Sequence, residues 1–435
     1  MTNTFSLRGR ALKLGTAADI EPHLAPLRSN PDIEEIHLEG NTLGVGACAA
    51  LADVLETKSH LRSANLADIF TGRLLTEIPP ALDSLLKALL KCPKLHTINL
   101  SDNAFGLNTV EPLRPFLSQH TPLQHLYLNN NGLGPAAGAL VAEALAQLAE
   151  RKEAARKEGK EISDLETVVC GRNRLETGSM KAWVQAYQAN SHVKVVKMVQ
   201  NGIRQEGIAL LIKDGLSTCK ELRVLDLQDN TFTTLASTQL SRTLPSWPSL
   251  LDLGVGDCLL GARGGRNVAT ALSQGQNTKI EVLRLQFNEL DTKAVHTLVS
   301  AALSKEALPR LRRVELNGNK FAEEDPEVEK LRELLERRKE EAGETYTEVD
   351  AEDEDAWGLD ELDELDDEDE DEEEDAGGKE DQEDEEDEEE VGDVSEAAEE
   401  KILKEADQAE SEPVSQKQDK DVDELADTLG KTELK

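Results

Sequence analysis

The side chains best placed for chemistry are three consecutive amides, Asn129, Asn130 and Asn131, inside LQHLYLNNNGLG at 123–134. An amide donates from its nitrogen and accepts at its oxygen, so it can hold another polar group in place. It is no nucleophile, acid or base, and the sequence offers little else of that kind. The eight histidines do not cluster at metal-ligand spacing, and His96 and His125 read as packed or solvated. No Ser/His/Asp or Cys/His arrangement is suggested. GARGGR at 261–266 is glycine-rich but lacks the terminal Lys-Ser/Thr of a phosphate loop. Cys48, Cys92, Cys170, Cys219 and Cys258 stand apart with no C-x-x-C pair, which reads as buried thiols of a reducing compartment. No self-contained active site is expected, and no cofactor or metal of the chain's own.

The frame around the amides is L-x-x-L-x-L-x-x-N-x-L, the strand-and-turn core of a leucine-rich repeat. It recurs from Ile33, Leu95, Leu123, Leu165, Val193, Leu222, Leu250, Ile280 and Leu311, with a degraded copy from Leu61. The starts lie 28 to 34 residues apart, with one step of 42. Apolar spacing predicts a helix after each turn, for example over 47–55 and 81–90. Glycines such as Gly44, Gly106, Gly134 and Gly207 let the backbone tighten before it. Strand, turn and full helix at this period predict an α/β solenoid of the ribonuclease-inhibitor kind, a horseshoe with parallel strands inside and helices outside. Residues 1–32 read as an N-terminal cap, with a strand near 12–14 and a helix to Leu27, and the stretch after Phe321 reads as a C-terminal capping helix. AERKEAARKEGKEISD at 149–164 is expected to protrude from the surface.

In this frame the asparagine turns inward, where it satisfies backbone groups that would otherwise be buried unpaired. That ladder is Asn41, Asn103, Asn131, Asn173, Asn201, Asn230, Asn288 and Asn319, with Ile69 and Cys258 in two of its slots. The residue just before each slot faces solvent and forms a rim: Gly40, Asp68, Asp102, Asn130, Arg172, Gln200, Asp229, Asp257, Phe287 and Gly318. Asp is common in solvated turns for local reasons. A curved stripe of aspartates, with Arg73 nearby, also suits a basic partner. The outward strand positions Tyr127, Lys197, Asp226, Arg284 and Glu315 are mixed and hold no metal set.

Charge divides the chain. Residues 341–435 carry 46 acids against 7 lysines, a net −39 that equals the net charge of all 435 residues, so residues 1–340 are neutral. Two regions are expected: a repeat domain with its caps over 1–340 and an acidic, mostly disordered tail over 341–435. Within the tail, Trp357 reads as an exposed aromatic that could dock a partner, and VDELADTLGK at 422–431 as a short helix. The N-terminus lacks an apolar signal region and no 18-residue apolar run occurs, so no membrane span is expected and the chain is expected to be soluble and cytoplasmic.

ADIFTGR at 67–73, ALLKCPKLHTINLSDNAFG at 88–106, HTPLQHLYLNNNGLGP at 120–135, CGRNRLETGSMK at 170–181, VKMVQNGIRQEGI at 196–208 and VLDLQDNTF at 224–232 closely resemble the Ran GTPase-activating proteins. The resemblance runs over roughly residues 1–340, and the acidic stretch after the repeats fits it too, as a short form without the SUMO-acceptor domain of longer members. It implies an activator of GTP hydrolysis by the small GTPase Ran that is not itself the enzyme, GTP and Mg belonging to the bound GTPase. In this family an asparagine matching Asn130 positions the GTPase's catalytic glutamine, with no arginine finger inserted. Arg73 is then an interface or loop-shaping group. Asp68, Asp102, Asp229 and Asp257 are expected to meet basic surface on Ran, with Arg172 and Gln200 at the same contact. Leu74, Leu75 and Thr76 stand where some relatives carry a basic residue. The resemblance further implies GTP-bound Ran as partner, joined by Ran-binding protein. It also implies a role in nucleocytoplasmic transport, a location in the cytoplasm or near the nuclear envelope, no nucleic acid partner and a monomeric chain. The different reading is a non-catalytic scaffold or inhibitor using the same rim, and a remoter one is a chaperone of basic proteins acting through the tail.

Overall fold

The computed structural model describes residues 3–322, 324–342 and 356–365. Ten three-residue strands, one per repeat, run from Glu35–His37 to Arg313–Glu315 and form a single parallel sheet with Thr4–Ser6 at one edge and Gly358–Leu359 at the other. Pairing is in step throughout: Phe5 opposes Ile36, then Ala64, Ile98, Leu126, Val168, Val196, Leu225, Leu253, Leu283, Val314 and Leu359 follow in one row. A slip of one residue would turn this apolar row to solvent, so burial pins the register. Helices form the second wall. Those expected over 47–55 and 81–90 span Val45–Leu55 and Ile78–Leu89, and each packs on the helix of the next repeat. The core between the walls is continuous from Phe5 to Leu362, with all five cysteines buried as free thiols.

Both ends are sealed. At the first, the helix Ala17–Ser29 opens on a capping box in which Thr16 and Asp19 bond each other's backbone N–H. At the other, the helix Pro326–Glu340 opens on Asp325, whose carboxylate accepts from the N–H of Glu327 at 2.8 Å.

The solenoid does not stop at residue 340. Gly358–Leu359 adds a strand to Arg313–Glu315, the Gly358 N–H donating to the Arg312 carbonyl at 2.8 Å. Trp357, expected to be exposed, is 2% exposed, with the Arg312 guanidinium 5.6 Å from its ring centroid. The expectation fails because the last strand is an open edge and the last core layer an open face, and both need cover. Asp360 completes the seal: its carboxylate accepts from the N–H groups of Leu316 at 2.8 Å and Asn317 at 2.9 Å. In earlier repeats the backbone carbonyl of the next strand takes the N–H equivalent to that of Leu316, as the Glu315 carbonyl does for Leu285 at 2.9 Å. Residues 366–435, with the expected helix at 422–431, lie outside the described residues.

The long repeat also departs from expectation. Its helix spans Gly134–Lys157, and the charged run beyond Ala149 is tied back rather than protruding. Lys152 is buried, and its ammonium donates to the carbonyls of Thr121 at 2.9 Å, Leu123 at 2.6 Å and Ser163 at 2.7 Å. Burial pushes this lysine down to about 8, while three acceptors for three N–H bonds hold the ammonium form at neutral pH.

Two outcomes follow for stability. Asp360→Ala strands two N–H groups at the sealed edge and should cost about 1–3 kcal/mol in denaturant-induced unfolding. His120, buried with its Nε2–H on the Leu95 carbonyl at 2.7 Å and its ring stacked on Phe116, is held down to about 4 chiefly by burial. The unfolded chain binds that proton near 6.5, so stability is complete above 6.5 and falls as pH drops toward 4, by about 3 kcal/mol. In acid-titrated melts, His120→Gln should flatten that slope.

Candidate functional site

The three consecutive amides meet three different fates. Asn131 is buried: its Nδ2 donates to the carbonyls of Leu100 and Leu128, and its Oδ1 accepts from the Asn103 N–H at 2.9 Å. Asn173 accepts from the Asn131 N–H at 3.0 Å in turn, and the ladder continues through Asn201, Asn230, Asn288 and Asn319. Asn41 makes the equivalent bonds at the first repeat, to Leu12 and Leu38. The two exceptions read from the sequence hold. Ile69 is buried and its N–H reaches Asn103, while the Cys258 thiol faces the Leu227 and Gly256 carbonyls. Asn129 is half-buried and clamps the Gly171 N–H at 2.7 Å. Asn130 alone projects from the surface, and its Nδ2 donates to the Asp102 carboxylate at 3.0 Å.

All ten rim residues sit in the left-handed region, with φ from 47° at Asp68 to 75° at Gly40. The turn demands it, because the backbone must reverse for the next asparagine to enter the core. Gly, Asn and Asp tolerate that conformation, which gives a backbone reason for six of the ten residue types on the rim together with Asn130. Arg172, Gln200 and Phe287 have no such excuse and are held there at a conformational cost. Phe287 lies across Gly318, where any side chain would collide with the ring at 2.0 Å.

The rim residues named from the sequence fall into groups. Asp102 is spent on Asn130, and the Asp68 carboxylate accepts from the Thr71 hydroxyl. Asp229 is pushed above the usual carboxylate range by partial burial and by the neighbouring charge of Asp257, against a hydrogen bond from Gln200. Two like charges side by side are relieved by a cation. Arg73 does not reach outward: its Nε donates to the Thr42 hydroxyl and its Nη2 to the Thr42 carbonyl, both at 2.9 Å, beside Gly15 and Gly44. Leu74 and Leu75, after it, are exposed.

Apart from Gln200 and Asn201, a group on the adjoining turns escaped sequence reading. Arg174, Glu176, Thr177, Gly178, Gln200, Asn201, Gly202 and Arg204 line an open groove of about 530 Å³ next to Arg172. Glu176 has φ 51° and ψ 177°, a region almost reserved for glycine. Glycines do occupy the matching place two turns earlier and one turn earlier, at Gly106 and Gly134, and that mismatch was the available signal. On the strand wall, Arg284 pairs with Asp252 and with Glu315 at 3.6 Å, and burial raises the Asp252 carboxyl. Among the described residues no group of three or more His, Cys, Asp or Glu could hold a metal ion, and no helix is long and apolar enough to cross a membrane.

No protein-family model matches the chain. Ran GTPase-activating protein 1 of Saccharomyces cerevisiae is 41% identical over 333 residues, covering 75% of this chain and 81% of that protein. The Ran GTPase-activating protein of Drosophila melanogaster is 33% identical over 325 residues, 74% of this chain and 53% of that one. The ribonuclease inhibitor of Sus scrofa is 25% identical over 320 residues, 67% of this chain and 66% of its own.

Adjacent amides with opposite fates should separate on substitution. Asn131→Ala removes three buried hydrogen bonds and should destabilise the chain by about 2–4 kcal/mol. Asn130→Ala loses no buried bond and should cost only about 1 kcal/mol, the penalty of alanine in the left-handed region. Equilibrium denaturation of the two variants side by side decides it.

Proposed function

The chain belongs to the Ran GTPase-activating proteins, and from that premise we propose that it accelerates GTP hydrolysis on Ran through Asn130, inserting no arginine. The observation that carries the reading is the orientation of one amide. Because the Asp102 carboxylate can only accept, the Asn130 NH₂ must face it. The Oδ1 atom is thereby left pointing away as a free acceptor. A glutamine side chain on the partner presents an NH₂ group, and holding that amide over the attacking water is what a slow GTPase lacks. The geometry is set before the partner arrives, so little ordering remains to be done in the complex.

Bond making and breaking stay in the active site of the GTPase, with its own GTP and Mg. This chain is an activator rather than the enzyme. Arg73 supports the reading by being occupied, since leaving Thr42 would break two hydrogen bonds that shape the turn after Phe70. Asp68, Asp229 and Asp257 remain to meet basic surface on the GTPase, and the raised Asp229 carboxyl supports a cation opposite it. Arg172 and Gln200 lie between Asn130 and the Asp229–Asp257 pair along the rim. We extend the proposal to a monomeric chain acting outside the nucleus, where hydrolysis on Ran, helped by Ran-binding protein, gives nucleocytoplasmic transport its direction.

The experiment is single-turnover phosphate release from Ran loaded with GTP. The full chain should accelerate it, and Asn130→Ala should lower the maximal rate about 10²–10³-fold, the usual loss for one preorganised polar group. Asp102→Ala should fall between the two, and Asp102→Asn, which keeps an acceptor oxygen, should recover part of the rate. If Asn130→Ala stimulates as well as the parent, the rim is a binding surface and the scaffold reading replaces this one.

A further inference from the structure

The rim is not a stripe of one sign. Between Asn130 and the Asp229–Asp257 pair it carries Arg172, and the groove beside it adds Arg174 and Arg204. All three guanidiniums are exposed and none is in an ion pair among the described residues. Glu206 feels Arg204 only as a lesser influence, its carboxyl being lowered first by the Gln205 side chain. Several arginines elsewhere are held in ion pairs, Arg156 with Asp164, Arg266 with Asp291, Arg284 with Asp252, and Arg310 and Arg312 with Glu281, while Arg151, Arg223, Arg242 and Arg263 stand singly and exposed. What sets these three apart is their placement within two adjoining turns, Arg174 and Arg204 lining one groove.

The backbone beneath them points the same way. Arg172, Arg174, Glu176 and Gln200 all have φ between 51° and 56°, although glycine serves at equivalent places in other repeats. Gln200 bonds Asp229, but Arg172 and Arg174 are kept at strained positions with no ion pair among the described residues, which suggests a use outside the chain. The ladder does not need them, since Asn173 and Asn201 make their bonds through their own amides.

We infer that this groove receives a carboxylate-bearing segment of the GTPase, a short run of Asp or Glu, and that it sets affinity and orientation rather than the chemical step. The inference rests on the proposed function for its partner. Its occupant is argued from charge complementarity and from continuity with the Asn130 surface, the Asn130 N–H donating to the Gly171 carbonyl of the same turn at 2.9 Å. Planar guanidiniums pair with carboxylates through two parallel hydrogen bonds, which gives directional as well as ionic recognition.

The test is the dissociation constant of the full chain for Ran loaded with a non-hydrolysable GTP analogue, measured across a salt series, next to single-turnover rates at saturation. Arg174→Glu with Arg204→Glu should weaken binding by about 30-fold or more and shallow the salt dependence. Its saturating rate should stay within about twofold of the parent. Asn130→Ala should show the reverse pattern, with binding kept and rate lost. Binding by the parent without acceleration would remove the activator reading and leave the groove to be judged on affinity alone. Unchanged affinity in the double variant overturns the inference, as does failure of the parent to bind. Tighter binding overturns it too, because the groove would then have been occupied by acidic residues of this chain.

Discussion

Everything in the solenoid hangs on a buried amide. A three-residue strand followed at once by a reversal leaves N–H and C=O groups inside the core with no partner on their own strand. An asparagine side chain is short and carries both donor and acceptor, so it can bridge the turn of its own repeat to that of its neighbour. Asn131 does this toward Leu100, Leu128 and Asn103 at once. To point inward it needs the preceding residue in the left-handed conformation, and that residue's side chain is consequently driven into solvent. The rim is a by-product of the ladder: one buried bond fixes both the core and an exposed row of side chains spaced by one repeat.

A ladder of this kind has no natural end, since each repeat completes the one before it. The two ends solve the problem differently. Thr4–Ser6 gives the first repeat a strand to pair with. At the far end the role falls to residues embedded in an acidic run, where Gly358–Leu359 covers the edge, Trp357 and Leu362 cover the core and the Asp360 carboxylate takes the Leu316 N–H that a strand carbonyl takes in earlier repeats. A carboxylate can only accept, but the last turn offers N–H groups there, so acceptance suffices. The burial that makes this useful also raises the Asp360 carboxyl, against the bonds from Asn317 and Leu316 that lower it.

How much was legible in the sequence follows from these same facts. The ladder, the rim and the exposure of Asn130 could be read because a single spacing dictates all three, whereas its bond to Asp102 could not. Asp360 and Trp357 could not, because WGLDELDEL sits in a composition that reads as solvated and its partners are forty residues away. Lys152 was hidden in a run of charges for the same reason: three carbonyl acceptors converge on it only after the turn at Gly159 brings Ser163 back. The occupied state of Arg73 depends on Thr42, one repeat earlier. The groove at Arg174 escaped notice because φ is not written in a sequence. Glu176 in a slot held by glycine elsewhere was the one visible trace.

The order of charges along the rim constrains a partner more than their sum does. A uniformly acidic stripe would accept a basic surface in several registers, sliding by one repeat for little loss. Here the row runs acid, amide, base, amide, acid, from Asp68 and Asp102 through Asn130 to Arg172, Gln200 and then Asp229 and Asp257. A shift by one or two turns sets like charges against each other over part of the contact, and such misfits discriminate more strongly than matched pairs bind. A single amide can act on the reacting centre of another protein only when register is settled to within about an ångström. On the proposed function, the strained arginines and the paired aspartates are intelligible as one device: they spend conformational freedom at positions the ladder already exposes, so that Asn130 would arrive at a single place.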